Sequence, residues 1–172
     1  MNHVAIDIGA SGGTVFLGTV TPSNIDVMEV HRFENGPVER YGRYVWDLDA
    51  LVEEIAAGIA AADRHVAELD TVGVDTWGLD FGLLSGGELL RTPTSYRDPE
   101  GAATKDERCD AVGRRRLFEA TGSSNWTTAN TLWQLHTLAE REPDYLARAD
   151  RLLLMPQLLS ALLGGRPMGE VT

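Results

Sequence analysis

Between Asp7 and Thr14 the sequence reads Asp-Ile-Gly-Ala-Ser-Gly-Gly-Thr, an acid followed by a turn of residues with little bulk. Gly9, Ala10, Ser11, Gly12 and Gly13 let backbone N–H groups approach an anion closely, because no large side chain intervenes. A carboxylate ending the preceding strand, Asp7, can hold Mg2+ through water beside a bound phosphate. The chemistry expected is a nucleotide-phosphate loop with a metal anchor, running on to Thr14. A plain glycine-rich hairpin with a solvated Asp is the alternative. The segment is not GxxxxGK[ST], and no helix directly follows its glycines, so neither a P-loop nor a dinucleotide fingerprint is present.

A second group is Asp75-Thr76-Trp77-Gly78-Leu79-Asp80, where an apolar run ends in polar groups and a wide aromatic. Such strand ends are where α/β sheets place ligands. Trp77 can cover the C–H groups of a sugar, Gly78 can admit a hydroxyl closely, and Asp80 can accept from one. Against this, Trp77 can be core and the acids can cap turns. In Ser95-Tyr96-Arg97-Asp98-Pro99, Arg97 can donate a bidentate pair. Asp98 can accept from hydroxyls or hold Arg97, a local ion pair being the structural alternative. Asn130 reads as a helix N-cap, with Trp133 and Leu135 as packing.

The elements that must position these groups follow from periodicity. Val4–Ile8, Thr14–Val20 and Ile25–Phe33 read as three strands joined by short turns, an antiparallel meander. From Leu48 to about Leu69 apolar residues recur at helical spacing, with Asp47 as N-cap and Trp46 able to staple onto Leu51. Thr71–Thr76 reads as a strand buried on both faces, and Leu79–Leu84 as another, turning at Gly86-Gly87. Helices are expected over about 102–119, 130–141, 143–149 and 156–163, with a short strand at 152–155. The order β-β-β-α-β is that of an RNase H-like α/β domain, and no internal linker divides the chain.

Composition narrows the function. Of 172 residues, 26 are Asp or Glu and 15 are Lys or Arg, giving a net charge of −11. That balance opposes a nucleic-acid partner, which needs a basic footprint. There is no secretion signal and no membrane-length apolar run, so a cytoplasmic protein is expected. The single cysteine, Cys109, excludes an internal disulfide, and the four histidines show no paired metal spacing. His31, His65 and Cys109 read as structural, and Arg114-Arg115-Arg116 as a solvated helix face.

Together the motifs resemble the FGGY carbohydrate kinases, and within them the rhamnulokinase branch. They are Asp7-Ile8-Gly9-Ala10-Ser11, Glu29-Val30-His31-Arg32-Phe33-Glu34-Asn35-Gly36, Trp46-Asp47-Leu48-Asp49 and Gly73 through Asp80. Tyr96-Arg97-Asp98, Thr121-Gly122, Asn130-Thr131-Leu132 and Leu154-Met155-Pro156 complete the series. The resemblance implies an actin-like ATPase fold of two RNase H-like domains, of which this chain is the N-terminal portion of the first, truncated. It implies transfer of the γ-phosphoryl of ATP to the C1 hydroxyl of L-rhamnulose, with fuculose or xylulose as alternative ketoses. A non-catalytic sugar- or phosphate-binding remnant is the alternative of another class. By resemblance Ala10 to Thr14 would line the ATP phosphates, Asp7 would sit near Mg2+, and Gly78 with Trp77 would touch the sugar. Two departures are visible. The branch carries a basic residue where Thr14 stands. It also continues past Gly169-Glu170-Val171-Thr172, so its proton-accepting Asp is expected beyond residue 172. Alone, the chain is expected to be inactive and to self-associate through its cut edge.

Overall fold

The computed structural model describes residues 1–123 and 127–169; the chain end Glu170–Thr172 lies outside the described residues. The chain divides into two compact units. The first comprises Met1–Pro37, Asp47–Gly78 and the chain from Leu153 onward; the second comprises Val38–Trp46 and Leu79–Leu152.

In the first unit, β1 (Asn2–Ile8), β2 (Gly12–Val20) and β3 (Ile25–Glu34) form the expected meander. Helix α1 (Leu48–Asp63) then crosses over to β6 (Thr71–Thr76), which pairs parallel with β1. The sheet order is β3-β2-β1-β6. Alternation sorts its faces: Val4, Ile6, Ile8, Val15 and Leu17 are buried, as are Leu51, Ile55 and Ala62 of α1. Gly58 lets α1 approach β2 closely, since a Cβ there would come within 2.4 Å of the Val15 side chain. Asp47 caps α1 as anticipated, its carboxylate accepting from Ala50 N at 3.4 Å.

Two expectations for this unit change. Helix α1 stops at Asp63 although the apolar spacing runs on to Leu69. The next residues are claimed by β1 instead: Asn2 donates through Nδ2 to the Glu68 carbonyl at 2.9 Å and through its backbone N–H to Asp70 Oδ2 at 2.6 Å. His65, expected on the helix, therefore lies just past its end. Strand β6 is not buried on both faces. It is the outer strand of this sheet, and Thr71, Val72, Gly73 and Asp75 are exposed. Helix α6 (Met155–Leu162) packs against it.

The second unit, from Val38, holds a hairpin of β4 (Pro37–Arg40) and β5 (Arg43–Trp46) that no local signal announces. Its turn places Tyr41 at φ 56° and Gly42 at φ 74°, both left-handed as a two-residue hairpin turn requires. Strand β7 (Phe81–Ser85) turns at Gly86-Gly87 into β8 (Glu88–Leu89), and the sheet order is β8-β7-β9, where β9 is Arg151–Leu154 and its first two residues belong to this unit. The helix expected over 102–119 is two: α2 (Lys105–Val112) and α3 (Arg114–Thr121), broken at Gly113, whose φ of 86° no helix accommodates. Helices α4 (Thr131–Arg141) and α5 (Pro143–Ala147) follow, α4 capped by Asn130, whose side chain accepts from Leu132 N at 2.9 Å. Ala102, Cys109, Leu117 and Trp133 form the helical core, and Arg114, Arg115 and Arg116 face solvent.

Candidate functional site

The glycine turn between β1 and β2 opens onto a cleft lined by Asp7, Gly9, Ser11, Gly12, Gly13, Thr14, Arg32, Phe33 and Glu34. Its inner wall is closed by hydrogen bonds that consume carbonyl oxygens. The Gly9 N–H donates to the Gly12 carbonyl at 2.8 Å. Asn35 donates twice, from Nδ2 to the Gly9 carbonyl at 2.8 Å and from its backbone N–H to the Ser11 carbonyl at 3.3 Å. Carbonyls that would repel an anion are thereby tied into the fold, which suits the turn to a phosphate. Nothing in the local sequence signals this part for Asn35, which follows from the end of β3 beside the turn.

Packing dictates glycine at 13. A Cβ there would fall 2.2 Å from the Phe33 ring, and one at Gly12 would meet the Phe33 carbonyl at 3.0 Å. Asp7 ends the open face of β1 with its carboxylate exposed to solvent, and Asp75 stands beside it in register on β6, also exposed. Thr14 is the register partner of both Asp7 and Arg32. Arg32 forks onto Glu29, Nε to Oε1 at 3.0 Å and Nη2 to Oε2 at 2.7 Å. That hydrogen bond holds the Glu29 carboxyl below the usual carboxylate range.

The residues anticipated at a sugar separate into two sets. Trp77 and Gly78 belong to the first unit, directly after β6. Trp77 is half-buried, while Gly78 is exposed and a Cβ there would meet no atom within 4 Å. Asp80, Arg97 and Asp98 belong to the second unit, where only Arg97 is open to solvent, its guanidinium 5.7 Å from the Tyr96 ring centre.

Both acids expected to accept from hydroxyls are enclosed. Asp80 is 0% exposed; its carboxylate accepts from Trp46 Nε1 at 2.6 Å, Gln134 Nε2 at 2.8 Å and Tyr96 N at 3.1 Å. Asp98 is 3% exposed and receives Arg43 Nε on both oxygens at 3.0 Å, Tyr44 N at 2.6 Å and Glu100 N at 2.9 Å. The cation of Asp98 is thus Arg43 of the hairpin, in place of its neighbour Arg97. These carboxylates set the positions of Tyr96 and of the hairpin. Gln134, which no spacing signalled, bridges Asp80 to the Leu79 and Ala129 carbonyls.

Within the second unit a cavity of about 300 Å³ is lined by Arg43, Arg91, Arg141, Glu100, Glu142 and Tyr145 among others. Its arginines are matched by acids: Arg91 pairs with Glu142 at 2.5 Å and lies over the Tyr145 ring at 3.9 Å, and Arg141 pairs with Glu100 at 2.5 Å. The Arg91 hydrogen bond holds the Glu142 carboxyl below its ordinary value, against the opposing effect of burial. A carboxyl lowered by folding stabilises above the ordinary glutamate pKa of about 4.3, and that contribution is lost as pH falls through the folded value. Both side chains are about one-third exposed, so Glu142→Gln is expected to cost about 0.5–1 kcal/mol at neutral pH. The difference from wild type should shrink below pH ~4.3 in urea-midpoint measurements. A gap unchanged down to strongly acidic pH contradicts the assignment.

No protein-family model matches the chain. Two curated relatives are rhamnulokinases. That of Oceanobacillus iheyensis is 34% identical over 171 residues, covering 99% of this chain and 36% of the relative. That of Halalkalibacterium halodurans is 36% identical over 174 residues, covering 100% and 37%. The chain therefore spans about a third of the length of the curated relatives it matches. Among solved structures, a ligand-bound xylulose kinase from Lactobacillus acidophilus superposes with a TM-score of 0.75 at 10% identity, over 92% of this chain and 32% of that one. Plasmodium falciparum glycerol kinase with ADP superposes with a TM-score of 0.68 at 13% identity, over 96% and 35%. The mixed α/β fold is that of the N-terminal part of the actin-like sugar kinases.

Proposed function

We propose that this chain, which belongs to the FGGY carbohydrate kinases and is rhamnulokinase-like in sequence, supplies the phosphate-holding part of an ATP-dependent kinase of L-rhamnulose. The observation that carries the proposal is the glycine turn with its carbonyls tied inward and Asp7 at its mouth. Ala10 to Thr14 would hold the phosphates of ATP through backbone N–H groups, and Asp7 would hold Mg2+ through water. Bound Mg2+ supplies charge neutralisation on the phosphates. Gly78 would admit the sugar closely, for among the described residues a Cβ there would meet no atom within 4 Å. Trp77 beside it would cover the ketose's C–H groups, and exposed Arg97 would donate to its hydroxyls.

The reaction is γ-phosphoryl transfer to the C1 hydroxyl, and this chain's share is positioning and charge neutralisation. The carboxylate that accepts the hydroxyl proton would come from the rest of the enzyme, so the chain alone would bind nucleotide without turning over. Calorimetric titration with ATP, with and without Mg2+, tests the proposal. Binding is expected to strengthen with Mg2+, and Asp7→Asn is expected to remove most of that gain, about tenfold in affinity, the size of one charged contact. An Asp7→Asn chain that keeps the full Mg2+ effect sinks the metal assignment. An absence of any ATP binding sinks the phosphate assignment. Phosphorylation of L-rhamnulose in preference to fuculose and xylulose, by this chain joined to the remaining length of a relative, tests the substrate.

A further inference from the structure

The four strands of the first unit carry one cross-strand row on their open face. Asp75 on β6 is in register with Asp7 on β1, Asp7 with Thr14 on β2, and Thr14 with Arg32 on β3. Arg32 joins this row because β3 contains a bulge. His31 pairs with Val15 and Glu29 with Phe16, leaving Val30 as an extra residue. Without the extra residue, positions 29 and 32 would point to opposite faces; with it, both lie on the face of Thr14 and Phe16. The inward position falls to His31, which meets Glu54 of α1 at 2.6 Å.

Charge in the cleft is uneven. Among the described residues that line it, Asp7 and Glu34 are acids and Arg32 is the one cation. A polyphosphate held by the turn's N–H groups would otherwise face carboxylates. The Arg32 side chain is 66% exposed and that of its partner Glu29 is 44% exposed. An exposed pair of this kind contributes little to stability, whereas arginine binds phosphate through the same planar fork with more charge opposite it.

We infer that Arg32 is the phosphate-facing cation of this cleft, held by Glu29 until a polyphosphate displaces that carboxylate. The inference rests on the phosphate reading of the turn and deepens it, naming a side chain on β3 that exchanges one anionic partner for another. Glu29 then competes with the ligand, so removing its charge must tighten binding.

The test is calorimetric titration of the chain with inorganic tripolyphosphate, free of Mg2+ and at low ionic strength. Arg32→Gln is expected to weaken binding about tenfold, and Arg32→Lys to fall between, since an ammonium cannot fork. Glu29→Gln is expected to strengthen binding about twofold, the scale of an exposed ion pair. The opposite signs separate a phosphate contact from damage to the fold, which would weaken both. Binding by wild type with Arg32→Gln unchanged overturns this inference and leaves the turn's assignment standing. Weakened binding in Glu29→Gln overturns the exchange between partners. Failure of wild type to bind tripolyphosphate at all overturns the phosphate reading and this inference with it.

Discussion

Asp80→Ala is expected to destabilise the chain by about 3–5 kcal/mol, the largest effect of any single substitution considered. The carboxylate is fully buried and takes hydrogen bonds from Trp46 Nε1, Tyr96 N and Gln134 Nε2. Truncation would take the acceptor from Trp46 Nε1 and Tyr96 N in a space that water enters poorly, while Gln134 keeps the Leu79 and Ala129 carbonyls; each unmet donor costs about 1–3 kcal/mol. These costs do not simply add, because the partners share one acceptor. For a chain of this size the change corresponds to a fall in melting temperature of about 10 °C. Asp80→Asn keeps the volume but turns one oxygen into a donor aimed at donors, so an intermediate loss is expected. Thermal denaturation followed by tryptophan fluorescence reads the outcome, since Trp46 is itself a partner. An Asp80→Ala chain melting within 2 °C of wild type, on the order of 1 kcal/mol, contradicts the network as described.

Gly13→Val carries the second large expectation, about 2–3 kcal/mol of stability together with loss of phosphate binding. A Cβ at position 13 would lie 2.2, 2.7 and 2.7 Å from three atoms of the Phe33 ring. Phe33 is 8% exposed, so its ring has little room to withdraw, and a shift large enough to clear the Cβ would bear on the end of β3. Asn35, two residues further on, holds the Gly9 and Ser11 carbonyls. Displacement of the ring therefore reaches the turn through its own clamp. Gly13→Ala should do the same more mildly. Gly13→Ala combined with Phe33→Leu should recover stability relative to Gly13→Ala alone, because the smaller side chain vacates the contested space. Parallel melting curves and tripolyphosphate titrations check both effects. Equal losses in the single and double variants would place the strain elsewhere.

Much of the first unit was legible because its signals are local. Val4 to Ile8 is a short apolar run that reads as a strand, though only one of its faces is buried, and Val15 and Leu17 alternate against Phe16 and Gly18 as a strand must. The turn and its flanking acid announced themselves by composition. What escaped was whatever depended on partners distant in sequence. The β4–β5 hairpin turns on Tyr41-Gly42, and tyrosine at positive φ is not a turn signal that sequence reading uses. Helix α1 stops at Asp63, and Glu68 and Asp70 beyond it bond to Asn2, more than sixty residues earlier. Asp80 and Asp98 looked like ligand contacts because an acid at a strand end is ambiguous until its donors are known. Their donors, Trp46, Gln134, Arg43 and Tyr44, lie at separations that no spacing rule covers.

The packing of α6 on β6 also sets an order of events during synthesis. Strand β6 is complete once Thr76 leaves the ribosome, yet the helix that packs against it begins at Met155, about 80 residues later. At roughly 5–20 residues per second, the outer strand waits on the order of 4–16 s for its cover. Throughout that interval Val74, half-buried in the finished fold, lacks that cover, and β6 offers neighbouring nascent chains a bare outer strand. A translational pause inside the second unit would prolong the wait, so holdase chaperones should engage this chain most strongly while residues 79–152 are being made.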